Sequence, residues 1–121
     1  MNDATDSTNT LDVIEQFNAA FNSHDVNSIM ALMTDDCIFE NTLPTPDGTT
    51  YTGAAAVRAF WQQFFAQSPN ARFVTEEVFA SGDRAVVRWM YHWSQTGHIR
   101  GVDVFRVRDG KVAEKFSYVK G

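Results

Sequence analysis

The stretch HIRGVDVFRVRDGKVAEKFSYV, residues 98–119, decides the fold. Two extended runs meet at Asp109-Gly110, a dipeptide that favours the tight turn of an antiparallel hairpin. In the first run Gly101, Asp103, Phe105 and Val107 share one face, opposite Val102, Val104, Arg106 and Arg108. Asp103 therefore stands in mid-strand, beside Phe105, where a β-branched or aromatic side chain is expected. Upstream the period stays at two. RFVTEEVFA turns at SGD, and RAVVRWMYHWS turns at QTG into the opening hairpin. Val87, Trp89, Tyr91 and Trp93 fall on one face of that strand, opposite Val86, Arg88, Met90 and His92.

Before residue 70 the period changes. Val13, Ile14, Phe17, Ala20 and Phe21 recur at helical spacing, with Asn9 or Thr10 as the expected cap. Asp25 caps a shorter helix carrying Val26, Ile29, Met30 and Met33. DDCIFENT reads as a strand, LPTPDGTTYTG as a loop, and Gly53 opens a third helix with Val57, Phe60, Trp61 and Phe64 on one face. Helices followed by an antiparallel meander predict an α+β fold, with helices packed on one face of a sheet. Strands near ten residues long must twist, and a curled sheet crossed by helices encloses a pocket. If its aromatic face looks at the helices, Asp103 points into that pocket.

The 121 residues suffice for one domain, read as residues 11–121 behind a frayed polar tail at 1–10. Ten Phe, three Trp and three Tyr are many for this length, so aromatic surface is buried or lines something. A net charge of -5 without a Lys/Arg cluster repels phosphate backbones, which argues against a nucleic-acid partner. No apolar run approaches the length that spans a bilayer, and MNDATDSTNT is neither a signal peptide nor an anchor. The single cysteine, Cys37, excludes an internal disulfide, so a cytoplasmic location is expected. His24, His92 and His98 are scattered without a ligand motif, and no nucleotide or serine-hydrolase signature occurs; neither a metal nor an organic cofactor is expected.

Together with this element order, NSHDVNSIMALMTDDCIFEN, GAAAVRAFWQQFF and GVDVFRVRDGKVAEKFSYV resemble the SnoaL-like proteins of the nuclear-transport-factor-2-like and ketosteroid-isomerase-like superfamily. The resemblance covers nearly everything after residue 10. It implies a cystatin-like cone: a strongly curved antiparallel sheet wrapped around three helices, a ligand cavity inside, and homodimers packed through the outer sheet face. Val86, Met90, Val102 and Val104 would form that outer apolar set. In the ketosteroid isomerases an apolar site holds a carboxylic acid neutral, so that it donates a hydrogen bond to a developing oxyanion. VDVFRV matches that segment and puts Asp103 in the acid's place. The general base matches Asn41 and the oxyanion tyrosine matches Phe17, so steroid isomerisation by the usual route is not expected. Epoxide-hydrolase relatives use an aspartate pair, and their last-strand carboxylate matches Ser117. A polyketide cyclase with one aspartate as acid and base asks only for Asp103.

Asp103 has a plain alternative, an ion pair with Arg100 or Arg106 at a bulge around Arg100-Gly101. A carboxylate among rings loses the hydration its charged form needs, which favours a functional reading. Asn41 and Tyr91 are the candidates to orient a carbonyl beside it. Phe17, Phe21, Phe39, Trp61, Trp89, Trp93 and Phe105 are candidate lining, unless they are simply core. His98 and Arg100 are candidates at the cavity mouth, and Ser117 within it. Two functions follow as expectations. One is a cofactor-independent isomerase, cyclase or dehydratase acting on a small apolar carbonyl compound. The other is a non-catalytic binding or dimeric scaffold protein for a small hydrophobic ligand.

Overall fold

Asp6 opens the first helix: its carboxylate accepts from the Asn9 backbone N–H at 2.9 Å, and α1 spans Ser7–Asn22. The expected cap at Asn9 or Thr10 is displaced because Thr10 has another task. Fully buried, it donates its hydroxyl to the Gly82 carbonyl at 2.6 Å, while Ser7 Oγ accepts from the Gly82 N–H at 3.0 Å. Residues 7–10 therefore belong to the domain rather than to a tail. The structure, a computed structural model, describes residues 6–121; residues 1–5 of the expected tail lie outside the described residues.

Asp25 caps α2 (Val26–Ala31) through the Ser28 N–H, as its sequence suggests. Strand β1 spans Met33–Glu40 and β2 Thr50–Thr52, and Gly53, at φ 91, leads into α3 (Ala54–Gln67). Four longer strands follow: β3 (Arg72–Ser81), β4 (Arg84–His92), β5 (His98–Arg108) and β6 (Lys111–Val119). Asp109 and Gly110 both take positive φ, 54 and 75, the backbone twist that lets a two-residue turn join β5 to β6.

The six strands lie in the order β2-β1-β6-β5-β4-β3. Consecutive pairing from β3 to β6 is antiparallel, but β1 runs parallel to β6. That makes the sheet mixed rather than wholly antiparallel. The reason is topological: β1 and the final strand are separated by the entire meander, so β1 meets β6 without a hairpin to reverse it. Register shifts between Thr75 and Glu77 and between Arg106 and Val107 curve the sheet about the helices. No shift falls at Arg100-Gly101, where β4 and β5 pair without interruption from Arg84↔Arg106 to His92↔His98.

Side-chain parity divides the sheet into two faces. Val87↔Asp103↔Ser117 and Ala85↔Phe105↔Lys115↔Phe39 are inward rows that meet the helices. Phe17, Ile14, Ile29, Val57, Trp61 and Phe105 form the fully buried heart of the core. Outward rows such as Phe79↔Val86↔Val104↔Phe116 leave apolar side chains on the other face, with Phe79 55% exposed.

Gly101 is required by packing. A Cβ there would overlap the Tyr118 carbonyl oxygen and lie 2.6 Å from Cη2 of Trp89, whose ring covers the glycine across the strand pair. Gly101→Ala is therefore expected to destabilise the fold by about 1–3 kcal/mol, as overpacking does. Urea denaturation monitored by tryptophan fluorescence checks this, and an unchanged midpoint would contradict the packing.

Candidate functional site

The two inward rows bring three polar side chains together. Asp103 from β5 faces Ser117 directly across the pair, and Lys115 lies two residues back along β6 on the same face, the diagonal neighbour. The Ser117 hydroxyl donates to Asp103 Oδ1 at 2.6 Å. Lys115 Nζ lies 3.3 Å from Asp103 Oδ2 and donates to Ser117 Oγ at 3.2 Å. Each charged side chain retains 9% exposure. Both carboxylate oxygens thus face donors, so Asp103 accepts hydrogen bonds here instead of offering one, unlike the neutral acid that the isomerase resemblance implies.

Three elements close around the ammonium. The rings of Phe39 (β1), Trp61 (α3) and Phe21 (α1) have centroids 4.8, 5.3 and 5.5 Å from Nζ. Each is within the range in which a ring face attracts a cation, worth about 0.5–2 kcal/mol. Neither Arg100 nor Arg106 is the partner of Asp103. Arg100 pairs with Glu76 at 3.1 Å and Arg106 with Asp83 at 2.8 Å, both from the opposite face of β5.

The pair stands at the wall of a cavity of about 450 Å³. Phe21, Phe39, Phe60, Trp61, Phe64, Phe73, Trp89 and Tyr91 supply most of its lining, with Asn41, Thr42, Gln63 and Gln67 as further polar groups. A smaller hollow of about 20 Å³, bounded by Phe17 and Asn22, also touches Asp103 and Lys115. It is large enough for a single water. The indole N–H groups of Trp61 and Trp89 are buried without a hydrogen-bond partner among the described residues.

Asp103, Asn41, Tyr91, Ser117, Phe21, Phe39, Trp61 and Trp89 all line the large cavity. Of these only Ser117 joins Asp103. Asn41 Oδ1 is engaged by the backbone N–H groups of Thr49 at 2.8 Å and Leu43 at 3.2 Å, which fold the loop after β1. Its amide hydrogens have no partner among the described residues. Tyr91 stacks on Phe73, centroids 4.6 Å apart. It pairs with Ile99, four residues from Asp103 and hence about 13 Å along the strand.

The remaining candidates lie elsewhere. Phe17 and Phe105 are fully buried against each other, centroids 5.7 Å apart, and belong to the core. Trp93 is 48% exposed beyond the end of β4 and lines no part of the cavity. His98 and Arg100 are exposed. Arg100 has the opposite parity to Asp103, and His98 lies beside His92 with ring centroids 5.8 Å apart. Desolvation, followed by the charges of Arg72 and His98, pushes His92 down. Among the described residues no three His, Cys, Asp or Glu side chains gather as a metal site would require.

Lys115 is the residue that sequence reading missed. Its parity with Ser117 was available, because 113, 115, 117 and 119 share a face. A lysine in a C-terminal strand beside Phe116 and Tyr118 nevertheless reads as the solvated side, whereas those two rings face outward.

The profile of the SnoaL-like domain matches residues 14–115. The chain belongs to the SnoaL-like domain family. An NTF2-like protein of unknown function from Mesorhizobium loti is 38% identical to this SnoaL-like chain, with a TM-score of 0.86 and coverage of 100% of this chain and 97% of that one. Two others are 20% identical and show the fold alone. A candidate ketosteroid isomerase from Kribbella flavida has a TM-score of 0.84 over 98% of this chain and 83% of its own. A candidate polyketide cyclase from Sinorhizobium meliloti has a TM-score of 0.72 over 88% and 94%. No curated protein matches the chain. Among the described residues, no helix of the SnoaL-like domain is long and apolar enough to cross a membrane.

Removing one member of a buried ion pair leaves the other uncompensated, at a cost of about 3–5 kcal/mol. Asp103→Asn and Lys115→Met are each expected to lower stability. The double variant is expected to lose less than the sum, by about 1–3 kcal/mol. A double-mutant cycle in urea checks this, and additive losses would contradict the coupling. Cys37 is fully buried in β1, and desolvation, followed by the charges of Asp36 and Asp35, pushes its thiol up. Native protein is therefore expected to react with a chromogenic disulfide only as fast as it unfolds. Rapid native labelling, timed by absorbance, would contradict that burial.

Proposed function

We propose that the chain is a small-molecule enzyme of the isomerase, cyclase or dehydratase kind, acting by acid/base chemistry on an apolar carbonyl compound without a cofactor. The observation that carries this reading is a buried carboxylate, Asp103, at the wall of a cavity whose other surfaces are largely aromatic. Rings hold a planar apolar ligand by area and stacking, and a desolvated carboxylate within reach can exchange a proton with it. Asn41 and Tyr91, which line the same cavity, would orient the ligand's more distant parts. A likeness in fold to a candidate isomerase and a candidate cyclase supports the reaction class without choosing between them. A cytoplasmic setting, in which the lone Cys37 stays reduced, belongs to the same reading.

A second reading has its own observation. The carboxylate already has a counter-ion in Lys115 and a donor in Ser117, which is how a structural ion pair in a binding protein would also be arranged. Turnover separates the two. With a substrate found in a panel of steroid, polyketide and terpenoid ketones, Asp103→Asn is expected to lose about 10²–10⁴-fold in kcat. The variant should keep its circular dichroism at the assay temperature. Unchanged turnover in that variant would overturn the proposal. Ligand-dependent stabilisation without turnover, insensitive to Asp103→Asn, would establish the binding reading instead.

We also propose that the outer sheet face joins two copies of the chain. Val102↔Tyr118 extends the apolar rows there, with Val74↔Met90 on the far side of Arg88, and Tyr118 is 53% exposed. Contiguous apolar surface of this kind, flanked by the Glu76, Arg88 and Arg100 ion pairs, suits a mostly apolar interface with a polar rim. Light scattering after gel filtration is expected to give twice the chain mass, reduced to the monomer mass by Val104→Arg. A monomeric parent would contradict it.

A further inference from the structure

An ammonium has three hydrogens, and two of those on Lys115 are accounted for, by Asp103 and by Ser117. The third has no acceptor among the described residues. The lysine lines the large cavity, and the rings of Phe21, Phe39 and Trp61 that surround Nζ carry no charge and accept no strong hydrogen bond. We propose that Lys115 is the electrophile of the site: its free N–H receives the carbonyl oxygen of an enolisable ketone and holds the oxyanion that forms when Asp103 removes the neighbouring proton. This rests on the acid/base reading above and names the residue that reading lacks.

The electrostatics favour this division of labour. Before the step, the buried site contains one ammonium and one carboxylate. Asp103 forms an O–H bond as the ligand's C–H bond breaks. The C–H electron pair becomes a C=C bond, and the carbonyl π pair moves onto oxygen. Asp103 is then neutral, and the new anion is the enolate oxygen on Lys115. One ion pair has been exchanged for another, so at no point does the cavity hold an uncompensated charge, the state that burial penalises most. Returning the proton from Asp103 to a different carbon completes an isomerisation and restores the first pair. Ser117, bonded to both partners, keeps the carboxylate in place during the exchange. The ligand class follows: a flat, apolar ketone with an acidic α-hydrogen, or the phenol that imitates its enol.

The test uses 2-naphthol, whose neutral and ionised forms differ in absorbance, on the intact protein. Bound to the parent, it is expected to absorb as the ionised form at pH values at least one unit below its free midpoint, a tenfold shift, because its proton passes to Asp103 within the complex instead of leaving for solvent. Asp103→Asn, which leaves the ammonium without a counter-ion, is expected to bind the ionised form at least tenfold more tightly than the parent does. Lys115→Met is expected to bind only the neutral form. Should that variant fail to fold, the Asp103→Asn/Lys115→Met double variant, which buries no unpaired charge, is expected to do the same. An unshifted midpoint in the parent, or a shift that survives loss of Lys115, overturns the role of Lys115 and leaves Asp103 and the cavity untouched. Failure of the parent to bind both 2-naphthol and the neutral ketone 2-acetonaphthone overturns this proposal and the acid/base reading together.

Discussion

Neither Asp103 nor Lys115 could be buried alone. Withdrawing a carboxylate or an ammonium from water costs several kcal/mol even after the protein relaxes, and only a partner at hydrogen-bonding distance offsets it. Here that partner comes from the neighbouring strand, Lys115 Nζ lying 3.3 Å from Asp103 Oδ2. The pair therefore constrains the strand register. A one-residue slip of β6 against β5 would turn Lys115, Ser117 and Val119 outward and Phe116 and Tyr118 inward, leaving Asp103 unpaired among rings. Tertiary structure, chemistry and the shape of the cavity meet in this diagonal contact.

The surroundings fit that constraint. Helices α1 and α3 and strand β1 each bring one ring to the ammonium, so elements far apart in sequence converge on a single atom. Gly101 lets the Trp89 ring approach the backbone of β5 closely, beside the row that carries Asp103. The loop after β1 is folded on the Asn41 carbonyl oxygens. Asn41 Oδ1 holds two backbone N–H groups, and a Cβ at Gly48 would overlap the Asn41 main-chain oxygen. Aromatic walls and one compensated polar corner are what a site for apolar carbonyl compounds requires.

Much of this could be read from alternation alone. The inward direction of Asp103 followed from its parity with Phe105 and Val107, and the Asp109-Gly110 turn fixed the last hairpin. Three features were hidden for physical reasons. Thr10 was a credible cap until its hydroxyl was needed by the Gly82 carbonyl, a contact 72 residues away. The parallel approach of β1 to β6 involves strands joined by no turn, so no local signal announces it. Lys115 was concealed by the apolar outer face: with Phe116 and Tyr118 directed outward, hydrophobicity no longer marks the inside of β6. His98 and Arg100, expected at the cavity mouth because they begin β5, have the opposite parity to Asp103 and lie outside the cavity lining.

The state of Lys115 itself offers the most direct measurement. The chain has three lysines, and Lys111 and Lys120 are exposed. Nitrogen-15 correlation spectra of the side-chain ammonium groups are expected to show one resonance whose protons exchange slowly with water, moved by Asp103→Asn and absent in Lys115→Met. Three ammonium signals all exchanging at the solvent-exposed rate would contradict a buried, paired lysine and the chemistry argued from it.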